Sequence, residues 1–287
     1  MMKNFSRIDQ EGDSMKKERH IQYFIILLCT CAVLVYTVLI QPVLHERACR
    51  TRVFTDMQER LDEVALSVIG ILPRTEKEDG SVSYGGGGTG VIYASNSNTY
   101  YAVTAAHVVN NPAAENKVYT LKTEYTVDPV MEELGIEAAA ETFYESLADA
   151  KIEYISPDSD IAVISFESED ELVCAEFEEK MPVKGDRIVC LGHPDSRKLT
   201  VTYGTIKTGL KKVEMKDRGN GTKASDLVME HDAWLNSGSS GGPAFSENMK
   251  LYGINTGGSF TLTGNFRKGF MIPYDQLEEC ISHVISD

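Results

Sequence analysis

The chain has 287 residues, 42% hydrophobic and 25% charged, an ordinary globular composition with room for one large domain or two small ones plus appendages. Its net charge of −15 is local: Asp128 to Glu179 holds 17 acids against one base, Lys151, a density that excludes nucleic acid as a partner and reads as a solvated acidic face. Six scattered cysteines, without a CxxC or a cysteine–histidine ligand spacing, exclude a disulfide framework and a structural zinc, and no metal or cofactor is expected.

In chain order, residues 1–20 read as a short tail rich in Lys and Arg. Tyr23 to Ile40, "YFIILLCTCAVLVYTVLI", runs 18 residues without a charge, the lower length for a helix crossing a bilayer, and predicts a membrane anchor over 21–41. A cleaved signal peptide would want a shorter apolar core and a small-residue cleavage site, whereas bulky, basic "IQPVLHERACR" follows. Lys3, Arg7, Lys16, Lys17 and Arg19 precede the span, and Arg47, Arg50, Arg52 and Arg60 follow it. The tight "KKERH" just before it places the amino terminus in the cytoplasm and the bulk of the chain outside. Residues 42–63 alternate charge and bulk at helical spacing and predict a juxtamembrane stalk.

Residues 64–287 have another texture. Twelve short runs rich in β-branched and aromatic residues, from "EVALSVIGIL" and "GVIYAS" to "LYGINT" and "KGFMIP", end in turn residues and predict an all-β barrel or sandwich. Two stretches depart from it. Residues 128–150 are rich in Ala and Glu and predict a helical insertion, and "PYDQLEECISHVI" predicts a helix packed outside the barrel.

Serine needs a base beside it, and the base an orienting group, to act as a nucleophile. "LNSGSSGGPAF", Leu235 to Phe245, is either a flexible turn or the seat of such a serine. Of six histidines, His107 in "YYAVTAAHVVN" follows an apolar strand and a bed of small residues that lets an imidazole lie against the backbone. Asp160 in "PDSDIAVISF" is the last polar residue before a buried strand, whereas Asp158 reads as an ordinary turn residue. "GSSGGP" makes Ser240 the candidate nucleophile, with the N–H groups of Gly238 and Ser240 turned toward a cleft as an oxyanion hole. "GGGGTG" at 85–90 lacks the G-K-[ST] of a phosphate loop, and "NGT" at 220 fits a glycosylation acceptor only formally.

With "GTGVIY", "TAAHVV", "DIAVISF", "VKGDRIVCLGHP", "VTYGTI", "NSGSSGGP", "GINTGG" and "GFMIP" in this order, the chain resembles the trypsin-like serine proteases. It is most similar to the bacterial HtrA/DegP group, over roughly residues 64–284. The resemblance implies two six-stranded antiparallel β-barrels with the site between them, and His107 as general base, Asp160 as its orienter and Ser240 as nucleophile. It adds Ser239 as a third oxyanion donor and places Trp234, Leu235 and Asn236 at the specificity pocket, which suits small or medium apolar side chains before the cut. Ile254, Asn255, Thr256 and Gly257 would pair with substrate as an added strand. Ser239 stands where family members often carry Asn, and the chain stops short of a PDZ domain, so control by loop ordering or assembly is expected. The function implied is a membrane-anchored endopeptidase acting on unfolded or exposed polypeptide in protein quality control; the family implies a trimer, although the stalk shows no pattern of a trimer contact. The rival reading is a catalytically silent sensor or scaffold that binds peptides or partners.

Overall fold

The computed structural model describes residues 25–36, 60–120, 144–194, 199–215 and 224–285. The chain divides into two compact units, Met1–Val53 and Phe54–Asp287. In the first, residues 25–35 are helical with exposed side chains; the rest of the anchor predicted at 21–41 lies outside the described residues. Among the described residues no helix is long and apolar enough to cross a membrane. The stalk predicted at 42–63 also lies mostly outside them, and its end joins the short helix α1 (Leu61–Ala65).

The second unit begins with β1 (Val68–Glu76), β2 (Val82–Tyr84), β3 (Gly88–Asn96) and β4 (Thr99–Ala105). The short helix α2 (Ala106–Val109) leads into β5 (Ala114–Thr120), β6 (Ala148–Ser156) and β7 (Ile161–Glu167). These strands are ordered β2-β1-β3-β4-β7-β6-β5, and β1 also pairs antiparallel with β5 from Ile69↔Thr120 to Thr75↔Ala114. That second pairing closes six strands into a barrel and leaves β2 as a flap on β1. Closure removes the unpaired edges that an open sheet would expose. Inside lie Ile69, Ile71, Ile92, Ala102 and Ile164, each fully buried. Burying a side chain of this size contributes about 1.5–3 kcal/mol.

The second half runs β8 (Arg187–Gly192), β9 (Thr200–Thr205), β10 (Lys211–Met215), β11 (Ala224–His231), β12 (Pro243–Phe245), β13 (Leu251–Phe260) and β14 (Phe266–Pro273). Its order is β10-β11-β14-β13-β12-β8-β9, and the bridge Ile206↔His231 joins the end of β9 back to β11. Six strands again close, with β10 outside the ring. Ile188, Cys190, Met229, Ala244 and Met271 fill this barrel. The fold is therefore the all-β, chymotrypsin-like double barrel. Helix α3 (Tyr274–Ile285) follows as the sequence predicts, with Leu277, Cys280 and Ile281 buried.

The helical insertion needs correcting at its end. Residues 128–143 lie outside the described residues, but Ala148, Asp149 and Ala150 belong to β6, opposite Val118, Lys117 and Asn116 of β5. Alanine's helix preference is worth only tenths of a kcal/mol, and the pairing that helps close the barrel overrides it.

His231 sits wholly buried in the second barrel, its Nε2 donating to Asn255 Oδ1 at 3.1 Å. Burial lowers its pKa from 6.5 to about 4. Between those values the unfolded chain takes up a proton that the folded chain refuses. Stability is thus fully present above pH 6.5 and falls by about 3 kcal/mol as the pH drops toward 4. Urea unfolding at pH 7 and pH 4.5 checks this: His231→Gln is expected to lose less stability between the two than the unaltered protein does.

Candidate active site

The site is assembled at the seam between the barrels. β4 ends in Ala105, and the chain turns at once into α2, whose second residue is His107. Asp160 immediately precedes β7, which pairs with β4 in the register Ala105↔Ile161, so the two residues meet across adjacent strands. His107 Nδ1 lies 2.9 Å from both carboxylate oxygens of Asp160. The backbone N–H of His107 donates to Oδ1 at 2.9 Å, and that of Ala106 to the Asp160 carbonyl at 3.0 Å. An ionised carboxylate only accepts, so Nδ1 carries the imidazole proton and Nε2 keeps its lone pair.

Asp160 adopts φ 56°, a left-handed conformation that Asp and Asn tolerate better than other side chains. It is 1% exposed, whereas the His107 side chain keeps 20% of its surface open. The buried member thus orients and the accessible one faces the cleft.

The second barrel supplies the rest. Thr256 of β13 donates its hydroxyl to Asp160 Oδ2, so one carboxylate is held from both barrels. The Ser-rich turn before β12 is held from both as well. The N–H of Thr89 donates to the Ser240 carbonyl at 2.8 Å, and Thr89 Oγ1 donates to the Gly238 carbonyl at 2.7 Å. Gly241 N–H donates to the Asn255 carbonyl at 2.6 Å, and Asn255 N–H to the Gly242 carbonyl at 2.8 Å. Gly241 has φ 80°, and a Cβ there would come within 2.1 Å of the Thr89 carbonyl, so only glycine fits. These contacts set the backbone of Ser240 against the strand ends that carry His107: a Cβ on Gly88 would meet both Val108 and the Ser240 carbonyl. Ser240 keeps part of its surface open, and its hydroxyl makes no hydrogen bond among the described residues.

The other expected site residues divide. Gly238, at φ 90°, and Ser240 have N–H groups without partners among the described residues. Ser239 differs from expectation: its N–H donates to the Asn236 carbonyl at 3.0 Å, and its side chain is buried, so this peptide closes a turn instead of offering a third oxyanion donor. Leu235 is buried, while Trp234 is 38% exposed. With Cys190, Gly192, Thr200 and Ser239 they line a cavity of about 10 Å³, room for about one water and no side chain. Asn236 is partly buried beside them.

Ile254, Asn255 and Thr256 face inward as well. Asn255 Nδ2 donates to the Gly242 carbonyl at 3.0 Å, and its Oδ1 accepts from His231 and from Cys190 Sγ at 3.7 Å. Burial raises the Cys190 thiol to about 12, which leaves it protonated and inert. The pairing of β13 with β12 stops at Ile254, whereas that with β14 continues to Phe260. Among the described residues, Gly257 to Phe260 therefore present an unpaired edge beside the site. Sequence reasoning missed Thr89 and the Thr256 hydroxyl; both lie in stretches that it singled out for other reasons.

A double barrel with its site residues at this seam is the architecture of the trypsin-like peptidase domains. Residues 88–254, more than half of the chain, match the trypsin-like peptidase domain, and the chain belongs to that family. It is 29% identical over 169 residues to a probable periplasmic serine endoprotease DegP-like of Rickettsia prowazekii (strain Madrid E), covering 58% of this chain and 31% of that one. It is 23% identical over 246 residues to serine protease Do-like HtrB of Bacillus subtilis (strain 168), covering 81% and 48%. Against periplasmic serine endoprotease DegP of Escherichia coli (strain K12) it is 29% identical over 138 residues, covering 48% and 28%. The chain thus spans less than half the length of each of these relatives.

Proposed function

We propose that the chain is a serine endopeptidase in which His107, Asp160 and Ser240 act as base, orienter and nucleophile. The observation that carries this reading is the Asp160 carboxylate, buried and holding the His107 ring by Nδ1 at 2.9 Å. His107 Nε2 takes the Ser240 proton as Oγ attacks the substrate carbonyl, and the N–H groups of Gly238 and Ser240 receive the developing oxyanion. His107 then returns the proton to the leaving amine, and water, deprotonated by the same ring, frees the acyl group from Ser240. The open edge from Gly257 to Phe260 pairs with the substrate main chain before the scissile bond. Because the cavity at Leu235 and Trp234 admits no side chain as it stands, substrate must open it, which suits control by loop ordering.

The finer proposal is a membrane-tethered enzyme acting outside the cytoplasm on unfolded or exposed polypeptide, in protein quality control. The uncharged run Tyr23–Ile40 supports the tether, and the names of the periplasmic endoprotease relatives support the side of the membrane and a polypeptide substrate. An assembly of several copies, a trimer by family, belongs to the same proposal. The full chain is expected to take a fluorophosphonate label that Ser240→Ala abolishes, and to degrade unfolded casein. Absence of label under conditions that mark a control protease would leave a binding scaffold instead.

A further inference from the structure

Two hollows adjoin on the first-barrel flank of the site. One, of about 350 Å³, is lined by Leu72, Tyr84, Gly85, Gly86, Tyr144 and Gly238. The other, of about 550 Å³, shares Tyr84, Gly85 and Gly86 and reaches His107. The end of β2 therefore bridges a trough running from the base to the oxyanion turn. The Tyr84 and Tyr144 rings stack at 3.9 Å with 13° between planes and form its aromatic wall. Tyr84 comes from the β2 flap, and Tyr144 from the segment that precedes β6. On the other side the glycines leave room: a Cβ on Gly85 meets no atom within 4 Å.

Resting on the endopeptidase reading, we propose that this trough receives the side chains just after the scissile bond and prefers an aromatic one there. The direction follows from the chemistry. His107 protonates the leaving amine, so the chain beyond that nitrogen departs on the His107 side. The acyl half lies along the edge of β13, at the opposite flank. A chain leaving past His107 and Gly238 enters the trough. Its volume falls in the range of small-ligand pockets, about 300–1,000 Å³. A planar apolar group finds the outer face of the stacked tyrosine pair and, at Gly85 and Gly86, a wall without side chains. Glu145, which accepts from the Tyr84 hydroxyl at 3.4 Å, repels an acidic occupant.

Two internally quenched peptides, differing only in Phe or Ala just after the scissile bond, test this on the full chain. The expected ratio of kcat/KM is about 10 in favour of Phe. Gly85→Leu, which fills the trough, and Tyr84→Ala, which removes its wall, are each expected to bring that ratio to within about 2-fold. The ratio is internal to each variant, so a general loss of activity cancels. A ratio near 1 in the unaltered protein, or one that both variants retain, overturns the proposal while leaving the endopeptidase reading intact. Fluorescence titration of Ser240→Ala with the two peptides reads the trough without catalysis. Tighter binding of the Phe peptide, lost on adding Gly85→Leu, supports the trough even if no peptide is cut, and equal binding overturns it.

Discussion

Asp160→Asn is expected to lower kcat about 10⁴-fold, with KM and melting temperature changed far less. The substitution suits the backbone, because Asn tolerates the φ of 56° that this residue adopts. It fails on hydrogen bonding. In the native site the carboxylate accepts from the His107 backbone N–H, from His107 Nδ1 and from the Thr256 hydroxyl. An amide offers one acceptor oxygen and one NH₂. If the NH₂ faces the ring, Nδ1 becomes the acceptor and Nε2 carries the proton, so the ring no longer accepts one from Ser240. Steady-state kinetics with the fluorophosphonate labelling rate checks this; labelling within 10-fold of the unaltered protein would remove Asp160 from the orienting role.

Thr89→Val carries the second large effect, about 10² in kcat at nearly constant KM. Thr89 is fully buried, and Val keeps its shape and backbone bonds. What Val loses is the hydroxyl, which donates to the Gly238 carbonyl at 2.7 Å and accepts the His193 N–H at 2.9 Å. Leaving those backbone groups unpaired costs about 1–3 kcal/mol each, and the turn holding the Gly238 and Ser240 N–H groups loses a fixed point. Thr89→Ser restores the hydroxyl and is expected to recover most of the activity. A lower melting temperature with unchanged kcat would make the hydroxyl a matter of stability alone.

The barrels were legible in the sequence wherever a strand carries its own pattern. "IAVISF" and "RIVCLG" have the β-branched, turn-bounded texture of buried strands and lie in β7 and β8. β12 is three residues, Pro243–Phe245, following a glycine pair; too short for any period, it is a strand only because β8 and β13 flank it. β2 escaped notice for the same reason. The candidate site divides along the same line. His107 and Asp160 stand at strand ends, a local feature. The roles of Thr89 and Thr256 come from partners 149 and 96 residues away, and no window of sequence contains both ends of such a bond. Ser239 and Asn255 turn inward, which their own stretches do not reveal: Ser239 lies in a turn without a period, and β13 bulges just after Asn255.

The Asp160 carboxylate held from two barrels has a bearing on synthesis. A ribosome makes the histidine and the aspartate well before position 240, and the earlier barrel has all its strands by Glu167. Until the later barrel docks, Thr256 cannot steady that aspartate, and the turn that carries Ser240 is not yet held against Thr89. A copy that ends before β13 thus lacks the contact that fixes the Asp160 carboxylate from the second barrel.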